Sequence, residues 1–249
     1  MNNCLYDINS AWSDRVEDPA EIGRKFLQTL DQLSHAGPMF RDWGTCDAEN
    51  TAKGQPIDPM RSNFTPWVEA NVWIDDWGKP DPDDGYWIWA ATRYRPYAPA
   101  DPKSLSFHLA AGSRWKNHYT LEAGRMGKAP DPAVVTYPAF KAALLTTISI
   151  WPAPWANLRA SIWGEDPPTL PGEPPFPKSG YQMPWISYLC AERAAKLDLP
   201  HDVLTERTPD GGLLMIAAET RFDPSNRDHM ARSKILAEIM IQLGGDPYW

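Results

Sequence analysis

The stretch VLTERTPDGGLLMIAA, residues 203–218, decides the fold. Val203–Glu206 and Leu213–Ala218 are runs of strand length, and Thr208–Gly212 between them reads TPDGG, a strong turn sequence. Two such runs joined by a short turn that contains glycine predict a β-hairpin. The chain therefore contains antiparallel strands close to its C-terminal end.

Helices are predicted on both sides of this hairpin and near the N-terminal end. The first helix takes Asp18 as its N-cap, with Glu21 completing a capping box, and ends at Gly37. Its apolar residues recur at helical spacing: Ile22, Phe26, Leu30 and Leu33. Further helices are predicted over Thr65–Trp77, over Tyr137–Ile150, and from Asn226 onward with Met230, Ile235, Ile239 and Leu243 facing inward.

Other strands are predicted from aromatic and apolar runs that turn residues bound: Tyr86–Tyr94, Leu105–Ala111, His118–Ala123, Leu158–Trp163 and Pro184–Cys190. The second and third of these form a hairpin. The predicted order is helix, helix, strands, helix, strands, helix, which is typical of an α+β protein with antiparallel sheet or sheets and flanking helices. A β-rich chain of this length predicts a single domain, residues 1–249, with a stiff proline-rich loop at 166–177.

The composition is that of an ordinary globular protein, but its charge is acidic. Asp and Glu total 32 against 24 Lys and Arg, and no basic run is present, which argues against direct binding of nucleic acid. An acidic surface attracts a basic partner. The alternative is that a net charge of −8 only keeps the protein in solution.

The sequence predicts a cytoplasmic protein. Cys4, Cys46 and Cys190 are widely spaced and form no CxxC pair, which indicates reduced thiols. The first residues lack the charged and apolar regions of a signal peptide, and no apolar run is long enough to span a membrane.

The sequence motifs of common enzymes and cofactor sites are absent. Neither a phosphate-binding glycine loop nor a GxSxG elbow occurs, so we expect no cofactor and no catalytic residues. His108 and His118 could meet across the predicted hairpin near Glu122 and hold a metal. The simpler interpretation, which we favour, is that they are polar strand residues facing water, with no metal site.

Tryptophan is unusually frequent, with 13 residues, seven of which lie between positions 67 and 151. We expect most of these seven to be core residues, and Trp87 and Trp89, two apart in a strand, to share one sheet face. Some could be exposed anchors for a partner. The adjacent carboxylates Asp75 and Asp76 could serve as a general acid and base, but carboxylates ahead of a turn are more often solvated.

Several short segments resemble the immunity protein 52 family. They are Trp12-Ser13-Asp14-Arg15, Phe40-Arg41-Asp42-Trp43, Trp185–Leu189, Gly211–Leu214, Glu219–Phe222 and Asn226–His229. The resemblance is specific at the two ends, about residues 6–45 and 183–242. It implies a small α+β protein from a bacterial polymorphic toxin system, encoded beside a restriction-endonuclease-like toxin that type VI secretion often delivers. Trp12, Trp43 and Phe222 are expected to be core residues of this fold.

The resemblance implies an immunity protein, not an enzyme, that neutralises a cognate nuclease toxin by occluding its active or substrate-binding surface. The partner is then a toxin effector, expected to be a DNase with a basic surface. We expect the contact to be made by Asp75, Asp76, Trp77, Asp81, Asp83 and Asp84. Two alternatives stay open: a hydrolase of unknown substrate, and an adaptor or chaperone that loads an effector for secretion.

Overall fold

The computed structural model of this chain describes residues 4–13, 15–46, 55–58, 63–93, 101–124, 129–162, 168–176, 183–198 and 202–243. Within these ranges nine strands form one sheet: β1 (Cys4–Ser13), β2 (Trp43–Cys46), β3 (Tyr86–Thr92), β4 (Leu105–Ala111), β5 (Lys116–Ala123), β6 (Trp155–Ile162), β7 (Met183–Leu189), β8 (Leu204–Arg207) and β9 (Leu213–Ile216). Their spatial order is β2-β3-β4-β5-β1-β6-β7-β9-β8, and each neighbouring pair is antiparallel.

Five helices accompany the sheet: α1 (Pro19–Ala36), α2 (Thr65–Ala70), α3 (Tyr137–Ile150), α4 (Ala191–Ala194) and α5 (Arg227–Gln242). An antiparallel sheet with flanking helices confirms the predicted α+β class. None of the helices in the described ranges is both long and apolar enough to cross a membrane.

The strand β1 lies at the centre of the sheet. It pairs with β5 on one side and with β6 on the other, so Ile8 is opposite both Leu121 and Leu158. On the face of the sheet that α1 and α3 cover, the Trp12 ring stacks on Trp151 at 5.9 Å between centroids. These contacts join the first strand of the chain to residues more than a hundred positions away.

A buried ion pair lies on the other face of the same strands. Asp7 and Arg159 are opposite each other on β1 and β6. One carboxylate oxygen of Asp7 accepts hydrogen bonds from Arg159 Nε at 2.8 Å and from Asn9 Nδ2 at 2.8 Å. Because a buried charge is costly without a partner, this pair favours the observed register of β1 against β6.

Helices cover both faces of the sheet at β7, among the C-terminal strands. Helices α1 and α3 pack against each other, whereas α5 packs against β7 and β9. All seven residues of β7 are buried, and alternate residues of a strand point to opposite faces, so both faces of β7 are covered. A strand buried on both faces agrees with the short buried strand predicted for this region.

The two edges of the sheet differ. Residues 55–57 cover the β2 edge: the Thr45 amide donates to Gln55 O at 2.9 Å, and the Ile57 amide donates to Trp43 O at 2.8 Å. The opposite edge is β8, a strand of four residues in which Glu206 and Arg207 are exposed. Short, charged edge strands disfavour pairing with other chains.

The sequence located α1 and α3 correctly, but the capping of α1 differs from the prediction. Asp18 Oδ1 accepts a hydrogen bond from the Glu21 amide at 2.9 Å, as a capping residue does. The Glu21 carboxylate does not complete the box, because it binds the Arg24 guanidinium at 2.7 Å instead. In α5 the expected inward residue Ile235 is only partly buried, and Leu236 beside it is fully buried.

Two predictions about the N-terminal half were wrong. The predicted order began with a helix, but β1 precedes α1, and β2 follows it. The second helix was predicted to reach Trp77 but ends at Ala70. After it the chain is extended, with Val72 bridging Tyr86 and Ile74 bridging Pro80, because β-branched and aromatic residues favour extended backbone where a strand is available to pair with.

The hydrogen bond between α1 and the end of α3 gives a stability prediction. Trp151 Nε1 donates to Thr29 Oγ1 at 2.8 Å, and both side chains are fully buried. Thr29→Val keeps the shape but removes the acceptor, so the free energy of unfolding should fall by about 1–3 kcal/mol. Thr29→Ser keeps the acceptor and should cost about 1 kcal/mol, mainly for the lost methyl group. Urea denaturation measures both; a larger loss for the serine variant would contradict this role.

Candidate protein-binding surface

Large apolar side chains that face solvent gather around the start of β3. They are Trp73, Ile74, Trp77, Trp87 and Trp115, with exposed fractions of 41%, 51%, 83%, 45% and 71%. Trp115 belongs to the β4–β5 turn, which is held against the loop before β3 by the Arg114 amide, donating to Asp83 O at 3.1 Å. We call residues 73–77, 81–84, Trp87 and Trp115 the Trp–Asp surface.

The extended backbone after α2 positions the two central tryptophans. The Trp73 amide donates to Gly85 O at 2.9 Å, and the Trp87 amide donates to Asn71 O at 2.9 Å. This pairing places both indoles on the same side of the sheet, where their rings stack at 5.8 Å with an angle of 21°. Stacked aromatic side chains of this kind are rigid, so the surface is formed before any partner arrives.

Two of the carboxylates hold the loop in shape. Asp75 Oδ1 accepts hydrogen bonds from the amides of Trp77 at 2.9 Å and Lys79 at 2.7 Å. Asp81 Oδ1 accepts from the Asp83 amide at 3.0 Å and so caps the short 3₁₀ helix 82–84. Replacing either carboxylate would therefore change the loop conformation as well as its charge.

The other three carboxylates differ in their partners. Asp83 forms an ion pair with Arg114. Asp76 and Asp84 have no side-chain hydrogen bond or ion pair with another residue of the described ranges. Between positions 73 and 87 the sequence has five Asp against the single Lys79, and Arg114 and Lys116 flank Trp115, so this surface keeps a net negative charge. The structure thus brings all six sequence-predicted contact residues to one surface but gives them different local roles.

The prediction that most of the seven clustered tryptophans are core residues was wrong. Only Trp151 is fully buried; Trp67 and Trp89 are half-buried, and the other four belong to the Trp–Asp surface. The strand register shows why. Ile88 and Ala90 point to the helix-covered face and are fully buried, so Trp87 and Trp89 point to the opposite face, as the shared-face prediction required. Trp12, Trp43 and Phe222 are buried, as expected.

The two histidines of the hairpin lie on this same open face but are not directly opposite each other, since His108 pairs with Thr120 and His118 with Ala110. His108 stacks on Trp89 at 4.8 Å, and its Nε2 lies 4.0 Å from the Glu122 carboxylate. His118 meets Trp87 edge-on at 6.1 Å. Among the residues that the structure describes, no three His, Cys, Asp or Glu side chains form a group that could hold a metal.

A cavity of about 510 Å³ lies elsewhere, between the C-terminal half of α3 and the β8–β9 turn. Its lining is mostly apolar and includes Tyr188, Cys190 and Asp210. Burial opposes ionisation of Asp210, but hydrogen bonds from Thr208 and Tyr188 outweigh it and lower the pKa of this carboxyl. The Asp210 carboxylate thus holds the β8–β9 turn through its bonds to Thr208 and Tyr188.

A model of the immunity protein 52 family matches residues 5–244. The chain belongs to this family. Its fold is similar to that of the Pseudomonas aeruginosa T6SS protein PA0821, with a TM-score of 0.53 and 12% identity over 98% of this chain and 73% of PA0821. At this identity the similarity shows the fold alone. No curated protein sequence matches the chain.

Membership of the immunity protein 52 family confirms the resemblance read from the two ends of the chain. The family implies that the chain binds a cognate toxin, which fits an exposed, preformed surface better than a cleft. The sequence analysis missed Trp73, Trp87 and Trp115 as surface residues. The alternation Tyr86-Trp87-Ile88-Trp89-Ala90 could have indicated Trp87, because one of its two faces had to lie away from the helices.

The attachment of the Trp–Asp surface to the sheet gives a second prediction. Gly85 and Gly78 have similar left-handed φ angles of +85° and +78°. A Cβ at Gly85 would lie 2.6 Å from Ala111 O, whereas a Cβ at Gly78 meets nothing within 4 Å. Gly78→Ala should lose about 1 kcal/mol through its positive φ. Gly85→Ala should lose roughly 1–3 kcal/mol more, because the clash adds to a backbone conformation of φ +85° and ψ −153° that is nearly restricted to glycine. Equal midpoints of the two variants in urea would contradict the close approach at Gly85.

Proposed function

We propose that this immunity protein 52 chain binds and neutralises a cognate nuclease toxin in the cytoplasm, by covering the active or substrate-binding surface of the toxin. The observation that carries the proposal is the Trp–Asp surface: rigid, exposed tryptophans among carboxylates, in a chain of an immunity family. The contact residues proposed from the sequence are Asp75, Asp76, Trp77, Asp81, Asp83 and Asp84, to which we add Trp73, Trp87 and Trp115.

Charge complementarity supports a nuclease as the partner. A nuclease surface that holds DNA must attract phosphate and is therefore basic. The Trp–Asp surface presents the opposite sign, with five Asp within ten positions of the sequence. A protein that occupies the phosphate-binding surface of a nuclease excludes its substrate, so binding there is sufficient for inhibition. The type VI secretion description of the structurally similar PA0821 supports a toxin that this route delivers.

Carboxylates and tryptophans contribute to binding in different ways. Exposed charges act at a distance and raise the association rate, and salt screens this effect. Buried aromatic side chains at the centre of an interface hold the complex together and lower the dissociation rate. We therefore expect Asp76 and Asp84 to steer the toxin, and the tryptophans to anchor it.

Co-expression with the toxin encoded beside this chain tests the proposal. We expect a complex that survives purification and lacks nuclease activity towards DNA. A complex that still degrades DNA would indicate the adaptor function instead, because an adaptor holds its effector without blocking it. A toxin that neither binds this chain nor loses activity in its presence would contradict the proposal.

A charge reversal at Asp76 tests the steering role without disturbing the loop. Asp76→Lys should slow association roughly two- to tenfold at low salt, and the difference should vanish near 0.5 M NaCl, where the Debye length is about 4 Å. Glu238→Lys is the matched control, because it changes the net charge equally at an exposed position of α5, several strands away. Stopped-flow or surface-based kinetics measures both, and equal association rates would remove Asp76 from the interface.

A further inference from the structure

We propose that the stacked rings of Trp73 and Trp87 form a binding site for an arginine side chain of the partner, and that this contact anchors the complex. The inference rests on the proposed function for the identity of the partner, the toxin. The chemistry of the site follows from the rings and the charges around them.

The two indoles offer a rigid aromatic face. Their centroids lie 5.8 Å apart with an angle of 21° between the planes, and each side chain is somewhat less than half exposed. Backbone hydrogen bonds hold both residues in place, because the Trp73 amide donates to the Gly85 carbonyl oxygen and the Trp87 amide donates to the Asn71 carbonyl oxygen. An aromatic face of this kind attracts a cation through the negative potential of its π system.

Carboxylates flank the rings along the backbone. The Asp81 amide donates to Trp73 O at 2.8 Å, and Asp84 directly precedes Gly85, whose carbonyl oxygen accepts from the Trp73 amide. Asp81 and Asp84 therefore lie in the two segments whose backbone is hydrogen-bonded to, or next to a residue hydrogen-bonded to, Trp73. The negative charge of these segments favours a cationic occupant over an anionic one, because a cation is attracted both by the rings and by the net charge around them.

The cation–ring contacts found between described residues involve rings other than Trp73 and Trp87. The cation–ring contacts between those residues use Trp12, Trp151, Tyr137 and Tyr6. The neighbouring imidazole of His118 does not supply a cation either, since burial lowers its pKa and the charge of Lys116 lowers it further. At neutral pH the imidazole that borders Trp87 is thus neutral, and Lys116 is a charged group close to that imidazole.

Arginine fits this site better than lysine does. The guanidinium group is planar and weakly hydrated, so it stacks on an indole while its edge donates hydrogen bonds to carboxylates. A lysine ammonium is compact and strongly hydrated, and it loses more hydration on an aromatic face. The basic surface of a nuclease that contacts phosphate provides arginines of this kind.

The chemistry of the site can be tested without the toxin. Isothermal titration at low salt compares capped octa-arginine and octa-lysine peptides. We expect octa-arginine to bind the wild-type protein several-fold more tightly, and Trp87→Leu to remove that preference, because the preference comes from the contact between guanidinium and indole. Trp87→Phe keeps an aromatic face and should retain most of the preference. Equal affinities for the two peptides, or an unchanged preference in Trp87→Leu, would overturn the proposal.

The anchoring role is tested with the toxin. Trp73→Leu and Trp87→Leu should each raise the dissociation rate roughly tenfold or more and leave the association rate nearly unchanged. Ile241→Ser is the control, because Ile241 is a similarly exposed apolar residue on α5. The urea midpoints and the elution volumes in size-exclusion chromatography must match the wild type, which excludes loss of folding as the cause.

The two proposals fail in different ways. If the wild-type protein does not bind the toxin while octa-arginine still binds and prefers intact Trp87, the proposed function is wrong and the arginine site stands. If the toxin is inhibited but Trp87→Leu dissociates at the wild-type rate, the arginine site is wrong as an anchor and the proposed function stands.

Discussion

The pairing of β1 with both β5 and β6 is the constraint on which the rest of this structure depends. Tyr6 lies opposite Ala123 on one side and Ala160 on the other, so this strand joins the N-terminal and C-terminal parts of the sheet. The Tyr6 hydroxyl also donates to Phe222 O at 2.8 Å. Because these partners are more than a hundred residues away, neither half of the sheet is complete until β1 is in place.

Local sequence signals predicted the elements with local partners. The hairpin 203–218, the β4–β5 hairpin, α1 and α3 each follow from a turn, a cap or a helical repeat that is visible in consecutive residues. The β1 strand was missed for the opposite reason. It contains the polar residues Asp7, Asn9 and Ser10, which reduce its apolar character. Their burial is compensated by partners distant in sequence: Arg159 binds Asp7, and Ser10 donates to the Trp155 carbonyl oxygen.

The candidate surface was predicted only in part, because the sequence shows its charged residues but not the contacts they make. An acidic, turn-rich segment is recognisable in the sequence, so the six contact residues could be proposed. Which carboxylates shape the loop and which face outward depends on backbone amides, as at Asp75 and Asp81, and this was not visible. The exposure of Trp73 depends on the chain leaving its helix at Ala70, which the aromatic and β-branched residues after it determine only together with β3.

The unequal edges of the sheet limit how copies of this chain can associate. Residues 55–57 occupy the β2 edge, and Pro56 there has no amide hydrogen to offer a further strand. Only β8 retains an open side in the described part of the chain. An extended sheet built from many molecules requires two open edges in each molecule. A molecule with one open edge can pair with one other molecule, and the sheet then has no open edge left. Association through the sheet edges of the described part of the chain is therefore limited to pairs of molecules.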